Sequence, residues 1–386
     1  MAGQEDRTTP PERYGARLAA CREAVAERGL AGLMIGVGPD LRYLTGFAGE
    51  PMERLTLLIV PREGPVSFLV PRLEAQKASE TPPVAGGQAT VAPFEETENA
   101  GSRAAELLGR SIKGSVGLSD RLWAMHVLAL QEALPGCRFE RASTVMRELR
   151  QVKDEDEKRL LGLAAAAADR ALDAIAAGPL VGRTEADVSR EIRGRLLDEG
   201  HDTAEFAIVG SGPNGASPHH DAGERVIAAG EPVVFDIGGT LAGYASDITR
   251  TVWVAGDKDA APEPEFTRVY ELVREAQARA TAAVRPGVTA EAVDAEARGT
   301  IAAAGYGDFF THRLGHGIGL EVHEDPYMVA GNATPLRPGM AFSVEPGVYL
   351  PGRWGVRLEN IVMCAAEPEG RTILNHSPLD LRRVRG

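Results

Sequence analysis

The sequence predicts an α/β domain over residues 11–145, followed by a second domain over 158–386 that repeats one helix–strand unit. Three observations carry this. Buried-strand runs alternate with amphipathic helical stretches through the first 145 residues. A charged stretch without Pro or Gly, residues 146–157, lies between the halves and reads as a helical connector. Beyond it, one N-capped helix and one acid-bearing strand each occur twice. A chain of 386 residues is also too long for one typical domain.

Residues 1–10 are polar and read as a disordered tail. Pro11 to Arg28 reads as a helix with Leu18, Cys21 and Val25 on one stripe. Residues 31–36, 55–60 and 65–70 are apolar enough for buried strands, the last two joined as a hairpin by Pro-Arg-Glu-Gly. Helical stretches are expected at 73–79, 102–109 and 121–134, with a strand at 116–119. The connector is expected to run on into a long helix, Glu157–Ala176.

The repeat is explicit at an offset of 105. Gly182, Thr184, Val188, Glu191, Arg193, Gly194 and Gly200 match Gly287, Thr289, Val293, Glu296, Arg298, Gly299 and Gly305. Thr184 and Thr289 read as N-caps, and Gly200 and Gly305 as C-terminal stops. After each helix, at slightly different distances, comes a hairpin of two apolar runs around a Gly-rich turn. One spans Val233 to Arg250, the other Phe342 to Asn360. A first turn centred on Leu241–Ala242 sets Asp236 opposite Asp247, and a second centred on Gly352 sets Glu345 opposite Glu359. Like charges across a ladder are destabilising, and an unpaired buried carboxylate more so. Two hairpins with this defect, brought together by a pseudo-two-fold axis, point to cations between four carboxylates.

Composition bounds the rest. The chain is 44% hydrophobic and 25% charged, an ordinary globular balance. A net charge of −13 argues against a nucleic-acid partner. Three dispersed cysteines without a CxxC fit a reducing compartment, and the N-terminus lacks an apolar signal region. No run approaches the ~20 apolar residues of a membrane span. The expectation is a cytoplasmic protein without membrane or nucleic-acid partners.

A nitrogen ligand is available in Thr311-His312-Arg-Leu-Gly-His316-Gly-Ile-Gly-Leu-Glu-Val-His323-Glu324. Its glycines exclude an HExxH-type zinc helix and allow close backbone approach. A second His pair, His219-His220, sits in a Gly/Pro/Asn/Ser-rich loop before the first acid strand. One imidazole with four carboxylates makes a hard, oxygen-rich set suited to Mn, Co or Fe, with Zn as an alternative.

These residues together resemble the dinuclear site of the pita-bread metallopeptidases, and most closely the Xaa-Pro branch, prolidase and aminopeptidase P. The strings are Ser246-Asp-Ile-Thr-Arg-Thr251, the His312–Glu324 segment, Ser343-Val-Glu-Pro-Gly347 and Gly355-Val-Arg-Leu-Glu-Asn360. Leu41-Arg-Tyr-Leu-Thr-Gly-Phe47 resembles the creatinase/prolidase N-terminal domain, so the resemblance spans nearly the whole chain. It implies an α+β pita-bread fold for 158–386, with Asp236, Asp247, His316, Glu345 and Glu359 holding two divalent ions, Mn first among them. It also implies a metal-bridged hydroxide as nucleophile, Glu345 as proton shuttle, and His219 and His323 steadying the carbonyl and oxyanion. His312 and Arg357 are carried over as substrate-binding residues. Arg353 or Arg357 is a candidate cation for a proline carboxylate, and Phe206, Ile208, Tyr327 and Trp354 are candidates for a proline pocket.

The expected activity is hydrolysis of an Xaa-Pro bond in a small peptide with proline at its second position, by a homodimer whose N-terminal domain helps cover the partner's site. A dipeptidase is the first reading and aminopeptidase P the alternative. Creatinase-like C–N hydrolysis, a lyase and a non-catalytic binding module all predict eroded ligands, and none is eroded here.

Overall fold

In the computed structural model, residues 7–256 and 259–384 are described. The expected tail therefore falls largely outside them, though Arg7 and Thr8 are anchored by hydrogen bonds to Gly200 and Arg159. The chain divides into two units, one of residues 9–150, the other from Gln151 onward with Arg7 and Thr8.

The first unit is a six-stranded sheet in the order Ala89–Phe94, Val66–Pro71, Leu57–Pro61, Gly32–Gly36, Gly114–Leu118, Cys137–Arg141. The predicted hairpin pairs Leu57 with Leu69. Leu18, Cys21 and Val25 form the buried stripe of the helix Pro11–Glu27. Both outermost strands were missed by sequence reading. Their side chains are only partly buried, so neither carries a continuous apolar run.

The connector is not one helix. Ser143–Gln151 is helical, Val152 bridges to Met340, and a new helix, Glu155–Ala176, starts under a capping box of Asp154 and Glu157. The charge run at 154–157 is thus a helix start, since Asp-x-x-Glu satisfies amide donors on both sides.

In the second unit the repeat is visible down to single hydrogen bonds. Thr184 accepts from Asp187 N at 3.1 Å and Thr289 from Ala292 N at 3.3 Å. Behind each cap the helix holds its own loop. Glu185 N donates to Arg225 O and Ala290 N to Thr334 O, both at 3.0 Å. Each half has a longer helix (Glu155–Ala176, Pro264–Ala283), a capped helix (Glu185–Asp198, Ala290–Ala303) and a mainly antiparallel sheet. The first core packs Leu172, Val188 and Ile192 on Phe235 and Val252, and the second packs Tyr270, Val293 and Ala297 around Phe342 and Val362.

The predicted hairpin registers part ways here. Val344 pairs Asn360 and Gly347 pairs Arg357, so Glu345 and Glu359 face each other between two ladder segments, as expected. In the first hairpin Leu241 pairs Tyr244 and Asp236 pairs Thr249, so Asp247 is a diagonal neighbour of Asp236 and not its opposite. The turn is centred one residue later than expected because Ala242 (φ 52°) and Gly243 (φ 85°) both adopt left-handed backbone. A two-residue turn with both φ positive matches the strand twist, but Ala rarely takes it, so the sequence does not signal it.

Candidate active site

The two hairpins meet edge to edge. Glu359 N donates to Thr249 O at 3.1 Å, and Thr251 Oγ1 exchanges hydrogen bonds with Arg357 O and N at 3.0 and 3.1 Å. Arg250, buried, staples the seam by donating to Thr249 O, Glu359 O, Asn360 Oδ1, Ser377 O and Pro378 O.

This seam brings the five predicted ligands together around one end of a cavity of about 980 Å³ that Asp236, Asp247, His316, Glu345 and Glu359 all line. Ligand atoms of Asp247, His316 and Glu359, all buried, lie within 4.8 Å of one another. His316 Nε2 is 3.3 Å from Glu345 Oε1 and 3.6 Å from Asp247 Oδ2. Its Nδ1–H donates to Gly317 O at 3.1 Å, which leaves the Nε2 lone pair aimed at the acids. His316 reaches this place because its strand runs against its neighbours with no room for side chains. A Cβ on Gly315 would lie 1.9 Å from Ser343 O.

The electrostatics are those of buried carboxylates crowded together. Burial, then the charges of Glu359, Asp236 and Glu345, push the Asp247 carboxyl well above its ordinary range. Burial, then Glu345 and Asp236, do the same to Glu359. For Glu345, burial also pushes upward, but the hydrogen bond and charge of His316, with His312 and Arg357, outweigh it and hold the carboxyl low. Asp236 Oδ1, Asp247 Oδ1 and Glu359 Oε1 are buried with no hydrogen-bond partner. Other oxygens have partners: Thr249 Oγ1 donates to Glu359 Oε2 at 2.6 Å and Ser343 Oγ to Glu345 Oε1 at 3.0 Å. Three orphaned oxygens beside an imidazole lone pair fit divalent cations and no internal partner.

Around this core stand the remaining histidines. The His323 ring meets that of His316 edge-on, centroids 4.1 Å apart, and partial burial followed by the charges of His316 and Arg313 pushes it down to about 4. His219 lines the cavity from an exposed loop position. His220 turns away to donate to Glu185 at 2.8 Å. His312 Nδ1 donates to Arg313 O at 2.7 Å and its Nε2 faces Tyr349 Oη at 2.8 Å.

Arg357 lines the cavity and is fully engaged, with Asp236, with Tyr349 Oη at 2.9 Å, with Thr249 Oγ1 at 3.2 Å and with Pro218 O at 3.3 Å. Its acid is Asp236, where the resemblance suggested a substrate contact. Arg353 does not reach the site. It lies on the surface, paired with Glu265 at 2.8 Å and Glu263 at 3.4 Å. Trp354 is buried in the core against Phe266, and Tyr327 is outside the cavity wall, under the guanidinium of Arg313. Phe206 and Ile208 do line the cavity. Sequence reasoning missed Tyr349, Thr249, Ser343 and Arg313. Tyr349 had a signal, since it lies four residues past Glu345 along the same hairpin arm.

Residues 159–366 match the Metallopeptidase family M24, and residues 17–152 match the Creatinase/Prolidase N-terminal domain. This chain belongs to metallopeptidase family M24. The M24 relatives agree over nearly the full length. "Probable dipeptidase PepE" of Mycobacterium tuberculosis is 44% identical over 371 residues, 96% of each chain. The crystal structure of dipeptidase PepE from Mycobacterium ulcerans is 43% identical, with a TM-score of 0.91 over 98% of this chain and 100% of that one. A prolidase from Thermococcus sibiricus is 35% identical, with a TM-score of 0.87 over 97% and 99%. The expected M24 fold, a creatinase-type N-terminal domain before a pita-bread domain, is therefore present. The chain is a metallopeptidase of the dipeptidase and prolidase kind, acting on small peptides with divalent metal ions.

Proposed function

We propose that this chain is a dinuclear Xaa-Pro dipeptidase in which Asp236, Asp247, His316, Glu345 and Glu359 hold the two ions. The observation that carries it is the set of buried, unpartnered carboxylate oxygens grouped with His316 at the end of a cavity walled by Phe206 and Ile208. When bound, the ions supply a nucleophilic water at neutral pH and polarise the scissile carbonyl. Manganese is the first choice for such an oxygen-rich set.

The remaining steps belong to the chain. Glu345, held ionised, accepts the proton of the attacking water and returns it to the departing proline nitrogen. His323, neutral above about pH 4, and His219 donate to the oxygen that gains charge in the transition state. His312 is fixed by Arg313 O and Tyr349, so its imidazole face, not a free N–H, borders the proline side. A proline nitrogen offers no N–H to satisfy, which an apolar wall of Phe206 and Ile208 tolerates at no cost. The same proposal includes a cytoplasmic homodimer. Three free cysteines support that compartment, and among the described residues no helix is long and apolar enough to cross a membrane.

The test is metal analysis of fresh protein with a paired assay on an Xaa-Pro dipeptide and an Xaa-Pro-Yaa tripeptide. Two ions per chain and preference for the dipeptide are expected. Preference for the tripeptide would make it an aminopeptidase P, and fewer than one ion with no activity after Mn addition would sink the metallopeptidase mechanism.

A further inference from the structure

A dipeptide carries one obligatory carboxylate, so a dipeptidase needs a cation in its cavity that the protein has not already spent on itself. Three arginines line the cavity. Arg357 donates to Asp236, Tyr349, Thr249 and Pro218. Arg193 is turned onto the backbone, with Nη1 at 2.7 Å from Ala204 O and 3.4 Å from Glu205 O. Arg313 differs. Among the described residues its guanidinium has no hydrogen bond and no ion pair, and it is held over the ring of Tyr327 at 4.3 Å. Stacking fixes the plane of the fork while leaving its five donors open, the state in which a guanidinium binds a carboxylate in bidentate fashion.

Placement agrees. Arg313 follows His312 directly and its charge is felt by His323, so it stands on the side of the cavity where those two histidines border the substrate. We infer that Arg313 is the substrate-carboxylate anchor of this enzyme and confines it to substrates ending one residue beyond the scissile bond. The inference rests on the dipeptidase reading above and names the residue that enforces it. The carboxylate recognised could be the C-terminus of the dipeptide or an acidic Xaa side chain, and the substrates separate the two.

The experiment compares wild type with Arg313→Gln and Arg313→Lys on Ala-Pro, Ala-Pro amide, Ala-Pro-Ala and Glu-Pro amide, with metal content measured alongside. For Ala-Pro, Arg313→Gln is expected to lower kcat/KM roughly ten- to hundredfold, chiefly through KM, with metal content unchanged. Ala-Pro amide and Ala-Pro-Ala, poor substrates of wild type, should change less than about threefold. Arg313→Lys should fall between, because a point charge lacks the fork. A selective loss on Glu-Pro amide instead would assign the carboxylate to the Xaa side chain and overturn the C-terminal anchor. Equal loss on the acid and the amide, or a loss in kcat alone, would overturn the anchor altogether. Should Arg313→Gln fail to fold, Tyr327→Leu removes the stacking platform and is expected to give the same selective rise in KM. If wild type cleaves no Xaa-Pro bond but does cleave a non-proline dipeptide, the proline specificity falls, and that dipeptide with its amide tests Arg313 in the same way.

Discussion

Glu185 and His220 meet at 2.8 Å beneath the loop that carries His219. Glu185 is fully buried, and its carboxylate also accepts from Ser211 N at 2.7 Å, Ser211 Oγ at 2.6 Å and Asn214 Nδ2 at 3.0 Å. All four donors come from three residues, Ser211, Asn214 and His220, of the 210–221 loop, so one carboxylate sets its shape. At the equivalent place in the other repeat stands Ala290, which anchors its loop by backbone alone. Glu185→Ala should therefore leave metal content intact and lower kcat by about tenfold or more, by letting His219 wander. In a His219→Ala background the same change should cost little further, because both act through one imidazole. A double-mutant cycle on kcat checks this, and full additivity would refute it.

The same carboxylate gives a pH signature. Burial pushes Glu185 upward, but the bonds from Ser211, His220 and Asn214 outweigh it, and its folded-state pKa is lowered. A lowered carboxyl pKa means the unfolded chain takes up the proton first. The stabilisation is complete above the unfolded value, about 4.3, and is lost as pH falls through the folded one. Urea melts of wild type and Glu185→Gln should differ most near neutral pH and converge in acid.

Asp247 and Glu359 behave in the opposite sense. Their folded-state pKa values are raised by burial and by the neighbouring carboxylates, Asp236 and Glu345 among them, so in metal-free protein the native state holds protons that the unfolded chain releases. Apo stability should be highest below about pH 4 as far as these two groups decide it, and decline as pH rises through their folded values. Mn should remove that decline, since the cation replaces the protons. Calorimetry of chelator-treated and Mn-loaded protein between pH 5 and 8 is the measurement. A flat apo profile would contradict the reading.

Arg250 closes the seam between the halves with donors to five acceptors, and burial, with the charge of Arg382, pulls its pKa down to about 10 against the opposing Asp169, Tyr270 and Glu359. Arg250→Met would leave several buried carbonyls without donors. A loss of about 3 kcal/mol or more in denaturant unfolding is expected, with weaker metal retention, because Glu359 is positioned from the adjoining backbone.

His323 meets His316 ring against ring; on the proposed role outside the ligand set, His323→Ala should keep its metal. Its kcat should fall roughly a hundredfold, the usual scale for one lost oxyanion donor. Loss of metal in that variant, by elemental analysis, would place His323 among the ligands instead.

What was legible beforehand was local. The repeat at an offset of 105 announced two equivalent halves, and the acids within each hairpin announced a cation site, because both are written in residue type and spacing. The Glu345–Glu359 facing could be read because Gly352 marks its turn. The Asp236 register could not, because the turn takes Ala242 into left-handed backbone, which the neighbouring strands impose on it.

The sequence by itself determined the grouping of the four acids and the two-fold plan, since carboxylates in two related strand–turn–strand frames depend only on near neighbours along the chain. Only the tertiary structure decided which of the cavity arginines has no hydrogen bond or ion pair among the described residues. Arg353 and Arg357 looked eligible, yet one is held on the surface by Glu263 and Glu265 and the other by Asp236 and Tyr349. Whether a charge is available depends on every partner within about 4 Å, and the acids among those partners lie 88 and 121 residues away along the chain.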